Sequence, residues 1–398
     1  MPSKEKKVVL VTGGSGLIGQ AICKTLSQNY LVVSLDLKKP RQSLSNVTHI
    51  NLDISSQQSI GQMVFKLRKH FGSHIASVIH LAAYYSFSDE QSSKYDEITV
   101  RGTERLLQAL REFQVDQFVF SSTMLIHTPS QPGQEVSENS PIDPKWAYPQ
   151  SKVDAEHVIE REHKSIPYVL LRIAGVYTDR CQSIPIAHQI ERIYERHLTG
   201  HFYPAELSRG QAFIHLDDLA EAITLVVNKR HELPFRTTVL LGEDEALSYG
   251  ELQELVSDQL HKRKWKTLRI PKPMAKVGAW LQERIPLVEE PFIKPWMISL
   301  ADDHYDLDIT KAKTLLGWQP KHFLRDEIPK MIQELKRNPQ TWYRNNKLNL
   351  PSRIETLARN RSTWIISSVG LGVLGAWIWK SRGLIKDTFS NVSRGKAA

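Results

Sequence analysis

The sequence predicts an α/β fold: a doubly wound parallel sheet, a smaller interleaved lobe towards the C-terminus, and a hydrophobic helix near the end of the chain. Three observations carry that expectation. Short β-branched runs alternate with helical patterns over about the first 180 residues. A glycine-rich turn joins the first run to the first helix, and a 17-residue stretch without charge, Thr363 to Trp379, follows the last helical pattern. Alternation of strand and helix marks parallel sheets whose crossovers are helices.

The elements follow in order. KVVLVT (7–12) gives the first strand, GGSGLIG the turn, and the pattern through Leu26 the first helix. LVVSLD supplies a second strand and then a polar loop, completing a βαβ unit. ASVIHLAA (76–83) and QFVFSST (117–123) read as buried strands separated by a helix around TERLLQALREF, and YVLLRIAGVY (168–177) reads as one more. Residues 1–180 are therefore expected to form one domain, with a returning part around 213–245 that includes TVLLGE. Residues 181–336 are expected mainly in the second lobe, where HQIERIYERHL reads as an amphipathic helix. Trp280, Phe292, Trp296 and Met297 suit either an apolar pocket or lid, or simply core. Residues 337–361 read as a basic linker, 362–380 as a transmembrane helix and 381–398 as a basic tail.

Composition narrows the classes. Of 398 residues, 41% are hydrophobic and 24% charged, and mean hydropathy is −0.35, which describes a soluble globular body. Cys23 and Cys181 are the only cysteines, so neither a disulfide framework nor a zinc cluster is expected, and a reducing compartment is. The N-terminus lacks the pattern of a signal peptide. The formal charge of +9 is concentrated: from Arg344 onward there are 10 Lys and Arg against 2 Asp and Glu, leaving +1 for residues 1–343. No nucleic-acid partner is expected.

The uncharged stretch spans roughly 25 Å as a helix, slightly less than a bilayer core. Trp364, Trp377 and Trp379 lie near its ends, where interfacial aromatics are favoured, and Gly372 with Ala376 gives a small-xxx-small face. A buried core helix or an interfacial hairpin is the alternative. The expectation is a membrane anchor with the catalytic domain facing the cytoplasm.

The glycine turn is chemically specific in its context. Gly13, Gly14, Ser15, Gly16, Leu17, Ile18 and Gly19 open a helix directly after a buried strand, which suits close approach of a pyrophosphate to the helix N-terminus. Asp36 lies 20 residues past Gly16 at the end of LVVSLD. A carboxylate there accepts both ribose hydroxyls and repels a 2′-phosphate, so NAD is expected rather than NADP, tempered by Lys38 and Lys39. A dinucleotide-binding site of the Rossmann kind is therefore expected here, the bland alternative being a glycine turn used only for tight packing.

AYPQSK (147–152) places Tyr148 and Lys152 on one helix face. A phenol of ordinary pKa near 10 needs a neighbouring ammonium to ionise near neutrality, so the pair suits proton transfer. The bland alternative is a surface pair.

Together TGGSGLIG, NLDI, VIHLAA, FSST, YPQSK, LLRIAGVY, FIHLDDLAEAI and LLGWQP resemble the extended short-chain dehydrogenase/reductase family, the NAD-dependent epimerase/dehydratase group, over roughly residues 7–330. The resemblance implies that Tyr148 is the proton-transfer tyrosine and Lys152 its lysine, which also holds the nicotinamide ribose. Thr123 would orient the reacting oxygen, with Ser122 the neighbour it could be confused with. Asp53 and Ile54 would lie on the adenine side. Leu81, Ala82 and Ala83 would line the cofactor, and Thr99 stands where many members carry Asn. His80 is read as structural. Asp217 and Asp218 resemble a helix-capping pair, so no metal site is expected. The resemblance also implies a homodimer.

Departures bear on substrate. Gly175 replaces an Asn common in sugar-nucleotide enzymes, and Gln211-Ala212 stand where Arg-Asp is frequent, although Arg209 is close. The leading expectation is an NAD(H)-dependent oxidoreductase acting at a secondary alcohol or ketone carbon of a small molecule. A nucleotide-sugar epimerase or dehydratase with internally recycled NAD is the alternative. A non-catalytic, membrane-associated NAD sensor is a third reading, disfavoured by the intact Tyr148 and Lys152.

Overall fold

The computed structural model describes residues 6–40, 44–86, 92–284 and 294–349. Seven parallel strands form one sheet: β1 (Val8–Thr12), β2 (Leu31–Asp36), β3 (Val47–Asn51), β4 (Ser77–His80), β5 (Phe118–Thr123), β6 (Tyr168–Ile173) and β7 (Arg236–Leu241). Their order is β7-β6-β5-β4-β1-β2-β3. The winding reverses between β1 and β4, and the carboxyl ends of those strands open the crevice where doubly wound sheets bind ligands. The crossovers are α1 (Leu17–Leu26), α2 (Gln57–Phe71), α3 (Arg101–Leu110) and α4 (Ala147–Glu162). The helix α5 (Ile184–Tyr194) begins the second lobe, and α6 (Leu216–Asn228) returns to the sheet.

Alternation along the strands divides the core. Val9 and Val11 join one apolar layer with α1 and α6, whereas Val8 and Leu10 join the other with α2, α3 and α4. Both faces of the sheet are covered, which is why β1 and β2 read as near-continuous apolar runs. A third cluster builds the lobe from α5, α7 (Tyr249–His261) and the helices Leu324–Arg337 and Pro339–Asn345.

Several expected boundaries shift. YVLLRIAGVY is not one strand: β6 ends at Ile173, and Gly175–Tyr177 pairs instead with Phe213–His215. The break is local packing, since a Cβ on Gly175 would lie 2.7 Å from the Phe213 ring. The polar loop after LVVSLD leads into β3, whose exposed face carries polar residues, and then into α2. The expected linker starts late. Trp342 and Tyr343 are buried at 2% and 1% exposure in the lobe cluster, so apolar burial carries the lobe through Leu348. The segments 362–380 and 381–398, and Phe292, lie outside the described residues. Among the described residues no helix is long and apolar enough to cross a membrane.

Candidate active site

The glycine turn is built for close approach. Gly13 has φ +70°, in the left-handed region that favours glycine, and its amide donates to Leu35 O at 2.8 Å. A Cβ on Gly19 would sit 2.2 Å from Gly13 O, so only glycine lets α1 lie this close to the loop. A Cβ on Gly16 would meet nothing nearer than Gly13 O at 3.3 Å, and no side chain caps α1. The α1 N-terminus, with Leu17 exposed and Ile18 against the core, therefore presents uncapped amides to a phosphate. At the β2 end, Asp36 accepts Ser15 N and Lys38 N, each at 3.0 Å. A carboxylate has about four lone-pair sites, so capacity remains for ribose hydroxyls. These residues fit NAD.

The other cofactor residues divide by role. Asp53 accepts Ser55 N at 2.9 Å and Ser55 Oγ at 2.6 Å in the turn entering α2, and Ile54 is buried against Gly102. Leu81 N and Ala82 N donate to Thr12 Oγ1, each at 3.1 Å, which ties the segment through Ala83 to β1. Thr99 is fully buried and accepts Tyr84 N at 3.1 Å, so it shapes this loop from behind. His80 links the two. Thr103 Oγ1 donates to Thr99 O at 2.6 Å and so accepts from His80 Nε2 at 2.9 Å, leaving Nδ1 to accept Thr12 Oγ1 at 2.7 Å. Burial first, and Lys152 second, pull the His80 pKa down to about 3, consistent with this neutral ring.

The proposed catalytic side chains converge at the start of α4, packed on β5. Lys152 is 2% exposed, donates from Nζ to Ser121 O at 2.7 Å, and lies 4.8 Å from the Phe120 ring and 5.8 Å from the Tyr148 ring. Burial lowers its pKa to about 7, against an opposing pull from Glu156. Burial pushes the Tyr148 phenol upward, with Tyr95 adding to the shift. The structure separates Ser122 from Thr123. Ser122 Oγ donates to the Glu156 carboxylate, whereas Thr123 Oγ1 accepts Leu125 N at 3.3 Å and keeps its own proton to donate.

Sequence reasoning missed the support beneath this pair. Glu156, one turn beyond Lys152, receives Arg172 Nε at 3.3 Å and Nη2 at 2.9 Å, and both side chains are over nine-tenths buried. A lone arginine inside the apolar run YVLLRI was the available signal. Also missed were Tyr85 and Trp146, which join Trp296 in an aromatic wall. The Tyr85 ring stands edge-on to Tyr148 at 4.7 Å, Trp146 lies 5.5 Å from Tyr148, and Trp296 lies 5.2 Å from Trp146. Of the four residues singled out in the lobe, Trp296 thus joins the site, Met297 is half-buried beside it, and Trp280 is exposed elsewhere.

The pair Asp217 and Asp218 acts differently from a cap. His215 caps α6, its Nδ1 accepting Asp217 N at 3.2 Å, while Asp218 clamps the lobe by accepting Lys321 N at 3.0 Å and His322 N at 2.9 Å. His215, Asp217 and His322 have metal-ligand composition. With Nδ1 an acceptor, the proton sits on Nε2, facing Asp179 Oδ1 at 3.3 Å, so a metal on Nε2 would require an imidazolate.

Fold and site define a class: an NAD-binding α/β enzyme. Residues 9–242 match the model of the NAD dependent epimerase/dehydratase family, and the chain belongs to that family. The UDP-glucose 4-epimerase of Streptomyces lividans is 30% identical over 272 residues, 62% of this chain and 79% of the relative. The human dTDP-D-glucose 4,6-dehydratase is 24% identical over 362 residues, 87% of this chain and 92% of the relative. Among solved structures, UDP-glucuronic acid 4-epimerase from Bacillus cereus, in complex with UDP-glucuronic acid and NAD, superposes with a TM-score of 0.62 at 21% identity, covering 82% of this chain and 99% of that one. These relatives favour the epimerase/dehydratase expectation over the exchanging oxidoreductase.

Two outcomes follow. Thr123→Val should lower turnover roughly 10²-fold, the effect of removing one oriented donor, with cofactor affinity retained. Ser122→Ala should instead lower stability by about 1–3 kcal/mol by stripping a partner from buried Glu156. Steady-state kinetics and urea melts distinguish them, and reversed effects would reverse the assignment. For His80 the folded pKa lies below the unfolded value near 6.5, so the unfolded chain binds the extra proton between pH 6.5 and about 3. Its contribution is complete above pH 6.5 and is lost as pH falls through that window. NMR titration of the folded protein should show a neutral ring down to about pH 4; protonation near 6.5 would disprove the network.

Proposed function

We propose that the protein is a nucleotide-sugar epimerase or dehydratase that keeps its NAD bound and returns the hydride within each cycle. NAD, when bound, supplies the hydride acceptor and donor. The chain's own residues do the remainder. Thr123 donates to the reacting sugar oxygen, Tyr148 takes and returns the hydroxyl proton at Oη, and Lys152 stabilises the ionised phenol. Gly13 to Gly19 hold the pyrophosphate and Asp36 the ribose.

The observation that carries this reading over its rivals is Arg209. Its Nε is buried without a hydrogen-bond partner, and Nη1 reaches only Ser130 O at 3.5 Å. A guanidinium so incompletely used on the substrate lobe suits the diphosphate of a sugar nucleotide, in place of the Arg missing at 211. The relatives named above support the same substrate class.

A second reading rests on the aromatic wall of Tyr85, Trp146 and Trp296, which suits an apolar hydroxy or keto compound and an NAD that exchanges. One preparation separates the two. Protein purified without added nucleotide should retain near-stoichiometric NAD and convert a UDP- or dTDP-sugar with no net change in NADH absorbance. Tyr148→Phe should lower that conversion roughly 10²–10⁴-fold with NAD still bound. An empty site, with NAD reduced stoichiometrically by a hydroxy lipid, would overturn the proposal.

We propose in addition that the sequence 362–380 anchors the enzyme with its catalytic lobe in the cytoplasm, on the strength of its apolar length and flanking Arg359, Arg361, Lys380 and Arg382. A chain ending at Leu350 should leave the membrane fraction; equal partitioning of both chains would refute the anchor.

A further inference from the structure

The near-neutral sum over residues 1–343 conceals a polarised surface. Residues 259–282 hold seven Lys and Arg and no Asp or Glu, so the rest of that span is net negative by six. These basic residues follow one another in the lobe, from the end of α7 into the next helix. Leu268–Arg269 pairs with Phe202–Tyr203, and Pro271 turns the chain into α8 (Lys272–Arg284).

This surface is apolar as well as basic. Leu268 is 60% exposed, Val277 54% and Trp280 44%, and Val277 and Trp280 stand three residues apart on the outer side of α8 while Ala279 is buried. In the same stretch of chain Lys262, Arg263, Lys264, Lys266, Arg269 and Lys276 are exposed. Lys262 pairs with Asp258 at 3.7 Å, Lys272 with Asp302 at 2.8 Å, and Arg269 with Glu206. Arg263, Lys264, Lys266 and Lys276 form no ion pair among the described residues.

We propose that this face seats on an anionic bilayer surface, its lysines and arginines at the headgroups and Leu268, Val277 and Trp280 in the interface. Exposed basic side chains interspersed with exposed apolar ones gain from both lipid charge and the acyl boundary. A nucleic acid would use the charges and gain little from an exposed Val and Leu. The occupant is also indicated by the chain itself. The uncharged stretch 363–379 begins 14 residues after the described lobe ends at Asn349. A segment held in lipid there would raise the effective concentration of the surface at the patch. The proposal does not depend on the nucleotide-sugar reading. Because α8 packs against the helix Pro295–Ser299 that carries Trp296, docking would bring one wall of the active site close to the bilayer.

The test uses the full chain carrying Val277→Cys, labelled with an environment-sensitive dye. Cys23 and Cys181 are buried, so labelling is confined to the new thiol. With vesicles of phosphatidylcholine and phosphatidylserine the emission should shift to the blue and be quenched by spin-labelled lipid; with phosphatidylcholine alone it should not. Adding R263Q, K264Q and K266Q should weaken the response roughly 100-fold, about fivefold per charge, with the circular dichroism spectrum unchanged. A dye that stays in water on anionic vesicles, even when the chain is held through its C-terminal stretch, would overturn the proposal. So would a shift produced by an oligonucleotide and not by vesicles.

Discussion

Two charged side chains buried one turn apart on α4 govern the geometry of the site. Removing Lys152 and Glu156 from water costs several kcal/mol per ion unless their hydrogen bonds are met. They are met from different strands: Lys152 by Ser121 O at the end of β5, and Glu156 by Ser122 and by Arg172 of β6. Neither contact survives a slide or rotation of α4. Tyr148, one turn before Lys152, is therefore aimed by electrostatics as much as by apolar packing.

The same dryness sets the chemistry. Burial drives Tyr148 up and Lys152 down, so each favours its neutral form. Tyr85, Trp146 and Trp296 line one side of Tyr148, with Tyr85 itself half exposed, while the buried Glu156–Arg172 pair supports α4 from the sheet. Two groups whose proton affinities are nearly equal in water are thereby spread apart, so the phenol holds its proton more tightly and the neighbouring amine less tightly than either would in solvent.

The features legible in sequence were those fixed by local chemistry. The glycine turn, Asp36, and Tyr148 with Lys152 depend on spacing within one loop or one helical turn. β3 was not legible, because VTHIN places His49 and Asn51 among its apolar residues and only pairing with β2 settles it. The helix Pro339–Asn345 was hidden by its polar surroundings, since Trp342 and Tyr343 become core only when the lobe closes over them. The choice between Ser122 and Thr123 needed Glu156, 34 residues from Ser122 along the chain. Trp146 adjoins the helix start, but nothing local shows that Trp296 meets it.

Long-range contacts of this kind also join the lobe to the catalytic strand. The loop after Thr123 is held on the sheet side by His127, whose Nδ1 donates to Ser140 O at 3.0 Å and whose Nε2 accepts Arg172 Nη1 at 3.2 Å. Burial, with Arg172 next, pulls the His127 pKa down to about 4, as a neutral ring in those roles requires. On the lobe side the same loop is gripped by Tyr305, donating to His127 O at 3.2 Å, by Ser130 N reaching His304 O at 2.8 Å, and by Arg209. Arg172 thus serves Glu156 under the catalytic helix and His127 in the loop, while Arg209 faces the substrate lobe. An anion bound at Arg209, as the proposed function has it, would compete with the 3.5 Å contact to Ser130 O and so loosen one of the three lobe-side grips on the loop that follows Thr123.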